Sequence, residues 1–149
     1  MPQLGEKMFI DEHQDFSVGL ADELRRLCYQ LSTTVPDNDQ IRKILASDAS
    51  HLLLAKEGDV VLGMLTLVIF PIPTGIRGWI EDVVVDTDVR GKGVGKALVL
   101  HALELAGQLD AKTVDLTSRP SREAANLLYQ KVGFVLRETN IYRYKFKYT

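Results

Sequence analysis

The sequence predicts an α/β domain of the α+β type: a mixed sheet of about seven strands with helices on both faces. Three observations carry this expectation. Runs of β-branched and aliphatic residues, above all at 60–70 and 79–85, stop at clusters of Gly, Pro and Asp. Between such runs, apolar residues return every three or four positions, as along 18–31 and 97–109. One strand passes through a glycine-rich loop straight into a helix, and only layered sheet-and-helix packing buries both kinds of apolar face.

The elements follow in order. Residues 7–12 form a short first strand. Ser17 caps a helix over 18–31 that places Leu20, Leu24, Leu27, Cys28 and Leu31 on one face. Asp37 caps a second, shorter helix carrying Ile41, Ile44 and Leu45. Strands 51–56 and 60–70 make a hairpin around Glu57-Gly58-Asp59, and Pro71 with Pro73 ends the second, since proline cannot serve a central ladder. Strand 79–85 leads into the glycine loop and the helix 97–109. Strand 112–117 breaks at Arg119-Pro120. Ser121-Arg122-Glu123-Ala124 has the form of a helix start, with Ala125, Leu128 and Val132 as the inward stripe. Gly133 closes that helix in a left-handed conformation, and Phe134 opens the next strand. Residues 140–146 alternate Ile141, Arg143, Lys145 against Tyr142, Tyr144, Phe146, as a terminal strand does.

A chain of 149 residues is one domain, able to bury about 70% of its unfolded surface. Its turn-rich breaks are short, so no linker divides 1–149, and no internal repeat is visible. A net charge of −2 without a basic stripe argues against nucleic acid as the main partner. Residues 1–7 lack the apolar stretch of a secretion leader, and the longest apolar run, 60–72, is too short for a bilayer. With Cys28 as the one cysteine, no internal disulfide forms, and a cytoplasmic protein with no membrane association is expected. His13, His51 and His101 have no metal-ligand spacing, so no metal is expected.

The chemistry concentrates after strand 79–85. Val83, Val84 and Val85 give way to Asp86, and then Arg90, Gly91, Lys92, Gly93, Val94, Gly95 and Lys96 open the helix. Strand, loop and helix in that order aim backbone N–H groups at one point beside the positive end of a helix dipole. Such a nest suits a pyrophosphate, and Arg90, Lys92 and Lys96 add charge. The Walker pattern fails because Ala97 follows Gly95-Lys96, and the dinucleotide fingerprint lacks its third glycine.

Arg90-x-x-Gly93-x-Gly95 after a strand resembles the acetyl-CoA loop of the GNAT superfamily of N-acetyltransferases. The run Ala125-Asn126-Leu127-Leu128-Tyr129-Gln130-Lys131-Val132-Gly133-Phe134 is similar to a second signature of that family. The resemblance covers about 60–146 and implies a mixed, mostly antiparallel sheet. It implies acetyl-CoA as cosubstrate, with Val83, Val84 and Val85 pairing the pantetheine arm as an added strand would. Residues 91–96 would hold the pyrophosphate, and Tyr129 would protonate the departing CoA thiolate. Many members carry an asparagine seven residues before that tyrosine; here the position is Arg122, and Asn126 lies three before it, so either is a candidate for the cofactor contact.

The implied reaction is attack by an amine on a thioester within a ternary complex. A protonated amine must first lose its proton to a base or a water chain. A phenol with a pKa near 10 then supplies a proton to the leaving thiolate. Glu81 and Asp82, inside an otherwise apolar strand, are the candidate base and amine-binding groups; strand alternation points them to opposite faces, so at most one normally enters a given cleft. Structural pairing with an arginine or a backbone N–H is the alternative for each. The segment 80–85 followed by Arg90-Gly91-Lys92 is also similar to glucosamine-6-phosphate N-acetyltransferases, a likeness that weakens at 116–121. Arg119 is a candidate for binding a substrate anion or the 3′-phosphate of CoA.

The expected function is therefore an acetyl-CoA-dependent N-acetyltransferase acting on a small-molecule or peptide amine. A non-catalytic acyl-CoA sensor on the same fold and a nucleotide-binding regulatory domain are the competing readings. The tyrosines and phenylalanine of 141–148 also suggest a homodimer joined through the C-terminal strands.

Overall fold

The parity of one strand organises the molecule. In the computed structural model, which describes residues 7–12 and 15–147, strand β2 (Ser50–Glu57) buries side chains on both faces. Leu52 and Leu54 point into one apolar cluster, Leu53 and Ala55 into another. A strand buried on both sides needs helices on both sides. Helices α1 (Val18–Leu31) and α2 (Asn38–Ala46) cover the first face through Leu20, Leu24, Leu27 and Ile41. Helices α3 (Val94–Gln108) and α4 (Glu123–Val132) cover the second through Leu98, Val99, Ala102 and Tyr129.

The sheet has five strands in the order β1-β2-β3-β4-β5, with β1 Met8–Glu12, β3 Val60–Ile72, β4 Gly75–Val85 and β5 Thr113–Asp115. The first three pairings are antiparallel and the last, β4 with β5, is parallel. Ser17 accepts from the Leu20 N–H and Asp37 from the Gln40 N–H, so both expected N-caps close their helices.

Five differences from the sequence expectation have physical causes. Strand β3 continues through Pro71, which pairs with Ile76. The Ile69 N–H donates to Ala49 on the β2 side, so the nitrogen of Pro71, two residues on, faces past the start of β2 and no ladder bond is lost. Strand β4 correspondingly begins at Gly75, four residues early. Helix α3 begins at Val94 rather than 97, because Gly93 turns the chain at φ 86° and lets the helix start inside the glycine run. Helix α4 is capped by the backbone of Arg122 without a side-chain bond, rather than by Ser121. Finally, among the described residues the sheet has five strands and not seven. Beyond Gly133, which does close α4 at φ 112°, the chain forms no ladder. The expected strands from Phe134 and over 140–146 do not form a ladder among the described residues, and β5 is shortened to three residues. Residues 1–6, His13 and Tyr148 lie outside the described residues.

Candidate active site

Strands β4 and β5 pair only from Arg77 with Thr113 to Trp79 with Asp115. Strand β4 runs on to Val85, so among the described residues its segment 80–85 keeps one edge without a strand neighbour. At the point of separation β4 carries a bulge. Thr66 pairs with Glu81 and Met64 with Val84, leaving Asp82 and Val83 opposite Leu65 alone. Asp82 takes the strain of this extra residue at φ 50°.

The bulge corrects the expectation that Glu81 and Asp82 face opposite sides. Ile80 and Val83, three apart, both pack on the α3–α4 cluster, so simple alternation fails across the two carboxylates. Both acids are exposed at the surface. Glu81 Oε1 accepts from Trp79 Nε1 at 2.7 Å, which holds its orientation. Partial loss of water and then the Glu81 charge push the Asp82 carboxyl above its ordinary range. Asp82 also lies near enough to Cys28 of α1 to help burial raise the thiol.

The loop after β4 is held from below by α1. Asp86 pairs with Arg26 and accepts from the Asp88 N–H at 3.1 Å, while Arg26 Nη2 donates to the Val61 carbonyl at 2.8 Å. The Thr87 N–H donates to Gln30 Oε1 at 3.0 Å. Burial draws the Asp86 carboxyl upward, but the Asp88 N–H and Arg26 outweigh it and leave the group below its ordinary range. These α1 contacts escape sequence reading, because Arg26 and Gln30 lie on the polar side of a helix some 60 positions away in the chain.

Gly91 and Gly93 have φ of 78° and 86°, and a Cβ at either would meet open space. Their requirement for glycine is conformational. Gly95 differs: its Cβ would sit 3.3 Å from Leu128 and 3.4 Å from Val85, so it brings α3, α4 and β4 together. The first intrahelical backbone bond of α3 is from the Ala97 N–H to Gly93, and among the described residues no side chain caps the N–H groups before it. Arg90, Lys92 and Lys96 are exposed around this end, and Arg90 Nε donates to the Val85 carbonyl at 3.2 Å. Uncapped N–H groups, a helix dipole and three cations call for an anion.

Across the opening, Tyr129 of α4 is 6% exposed, packs edge-on against Phe134 and borders a cavity of about 670 Å³. Burial raises its phenol pKa, against a smaller opposing effect of Arg122. Asn126 Nδ2 donates to the carbonyls of Arg119 and Arg122, both at 2.9 Å, and so pins the turn that enters α4. Arg119 and Arg122 are themselves exposed. His51 pairs with Glu12 at 2.6 Å, and no metal-binding cluster occurs among the described residues.

A sheet that parts beside an uncapped, cation-ringed helix start, with a protonated phenol at the parting, is the architecture of an acyl-carrier transferase. Residues 19–134 match the model of the Acetyltransferase (GNAT) family, and the chain belongs to that family. Its fold recurs in an aminoglycoside acetyltransferase from an uncultured soil metagenomic sample, at TM-score 0.84 and 17% identity over 97% of this chain and 99% of that one. It recurs in glucosamine-6-phosphate N-acetyltransferase from Arabidopsis thaliana, at TM-score 0.76 and 20% identity, covering 93% and 99%. Ribosomal-protein-alanine N-acetyltransferase from Brucella melitensis is similar at TM-score 0.74 and 23% identity, again over 93% and 99%. No curated protein matches the chain by sequence.

Proposed function

We propose that this acetyltransferase moves the acetyl group of acetyl-CoA to an amine by direct attack in a ternary complex. The observation that carries the proposal is the free edge of β4 over 80–85 running into the uncapped start of α3. Acetyl-CoA fits it. Its pantetheine amides suit the backbone of Val83, Val84 and Val85, and its pyrophosphate suits the N–H groups of residues 91–96. Asn126, whose Oδ1 is still able to accept, borders the cavity beside Tyr129, and Arg119 is exposed at the turn before α4; both are further candidate contacts.

Acetyl-CoA supplies an activated thioester; the protein supplies proton transfer and position. Asp82, with its raised pKa, accepts a proton from an ammonium group more readily than an ordinary carboxylate. Glu81, oriented by Trp79, is suited to hold the cationic amine. The buried Tyr129 keeps its proton at neutral pH and donates it to the leaving thiolate. The acceptor is a small-molecule or peptide amine, and the lone thiol of Cys28 supports action in the cytoplasm.

The test is release of free CoA thiol from acetyl-CoA across a panel of amino sugars, polyamines and peptide N-termini. Amine-dependent release supports the proposal. Calorimetric binding of acetyl-CoA with no release from any amine would favour a sensor on the same fold.

A further inference from the structure

Helix α1 is seated by its apolar stripe and carries a second, polar stripe along its side. Leu20, Leu24 and Leu27 are buried in one cluster with residues of β2, β3 and β4, so the helix has little freedom to slide or roll. Glu23, Arg26 and Gln30 follow at intervals of three and four, which places them on one side of it. Glu23 pairs with the Arg26 guanidinium at 2.6 Å, and that guanidinium also reaches the Val61 carbonyl at 2.8 Å and the Asp86 carboxylate. One turn further along, Gln30 Oε1 accepts from the Thr87 N–H at 3.0 Å. Two side chains of one helix thus hold two successive residues of the loop that leaves β4.

What they hold is the root of the glycine-rich turn. Asp86 donates its own N–H to the Leu62 carbonyl at 2.8 Å. Its carbonyl accepts from the Val89 N–H at 3.0 Å and its carboxylate from the Asp88 N–H at 3.1 Å. Val89 is buried and ends this anchored stretch in the core. Gly91 and Gly93 then turn through positive φ and contribute no side chain to hold the turn. Its direction is therefore set by the anchored residues before it and by α3 after it. Asp86 and Asp88 also put two carboxylates close to a helix start suited to an anion, and Arg26 balances one of them.

We propose that Arg26 and Gln30 are positioning residues for the carrier: without touching it, they fix the loop 86–93 in the form that aims the first N–H groups of α3 at the diphosphate. The proposal rests on the reading of that loop as the acetyl-CoA site. A cradle already in its binding form needs no ordering when the carrier arrives, so loosening it weakens binding and leaves turnover at saturation unchanged. The two residues act by different means. Gln30 is neutral and acts through geometry alone. Arg26 acts through geometry and by balancing Asp86, whose charge would otherwise oppose the diphosphate.

Calorimetry with CoA and amide hydrogen exchange on the full chain test this, and neither needs an acceptor. Gln30→Leu is expected to raise the dissociation constant of CoA about threefold and Arg26→Met about tenfold, the scales of a lost neutral and a lost charged hydrogen bond. Arg26→Lys keeps a cation beside Asp86 and is expected to recover most of that loss. Arg25→Met removes the same charge one position earlier, where the guanidinium bonds Asp22 and Asn38 instead. Its affinity is expected within about twofold of the unaltered chain, since an exposed charge away from the loop is screened. In the carrier-free protein the Asp88 and Val89 amides are expected to exchange faster in Gln30→Leu and Arg26→Met, with circular dichroism unchanged. Affinity or exchange that both variants leave unmoved, or affinity that Arg25→Met lowers as much as Arg26→Met, overturns the proposal alone. A lack of heat with CoA from the unaltered chain overturns the carrier reading and the proposal with it.

Discussion

Asp82 and Asp86 stand four residues apart and titrate in opposite directions. Asp86 has a depressed native pKa, so its contribution to stability is present above the unfolded value near 3.9 and is lost as pH falls through the native value. Asp82 has a raised native pKa, so the folded state is penalised as pH climbs from the unfolded value through the native one. Urea unfolding between pH 3 and 7 is expected to show Asp86→Asn losing stability mainly at the upper end of that range. Asp82→Asn, which also tolerates the left-handed backbone, is expected to gain stability at the same end. In kinetics, Asp82→Asn should remove the rising limb of kcat/KM with pH. Tyr129→Phe retains the ring that packs on Phe134 but loses the proton donor. A fall in kcat of about 10²-fold at constant acetyl-CoA affinity is expected, the usual scale for loss of a general acid. An unchanged kcat would leave Tyr129 as a packing residue only.

Among the elements, the strand–loop–helix unit is the most legible in sequence, because its demands are local. A β-branched run must stop where Asp86 turns it, and positive φ at Gly91 and Gly93 admits little but glycine. Gly93→Ala is expected to cost about 1–2 kcal/mol in denaturant unfolding, the price of a left-handed alanine, since its Cβ meets nothing. It should also weaken acetyl-CoA binding in calorimetry, because the same glycine aims the first N–H groups of α3. The helix caps at Ser17 and Asp37 were legible for the same local reason. The grip of α1 on the loop, through Arg26 with Asp86 and Gln30 with Thr87, was not; partners 60 and 57 positions apart leave no periodic trace. Nor was the bulge at Asp82, which exists only because β4 must pair with β3 on one edge while parting from β5 on the other.

For the whole molecule, the candidate site draws on a strand and two helices, so a ligand bound there would hold β4, α3 and α4 together. Acetyl-CoA at 100 times its dissociation constant is expected to add about 2.7 kcal/mol to unfolding stability. Absence of any thermal shift with acetyl-CoA or CoA would remove the carrier from the site. The two-layer covering of the sheet was readable in advance, because the aliphatic strand runs and the helical periodicity in α1 and α3 are set within single segments. The last two strands were not, although 140–146 carries a strand's alternation: a strand is completed by hydrogen bonds to a neighbour, and the periodicity says nothing about whether one is in reach. Residue order alone thus specified the local conformations and the glycine-rich turn into α3. Only packing in three dimensions decided where β4 leaves β5 and where the bulge at Asp82 falls, since each depends on contacts between residues far apart in the chain.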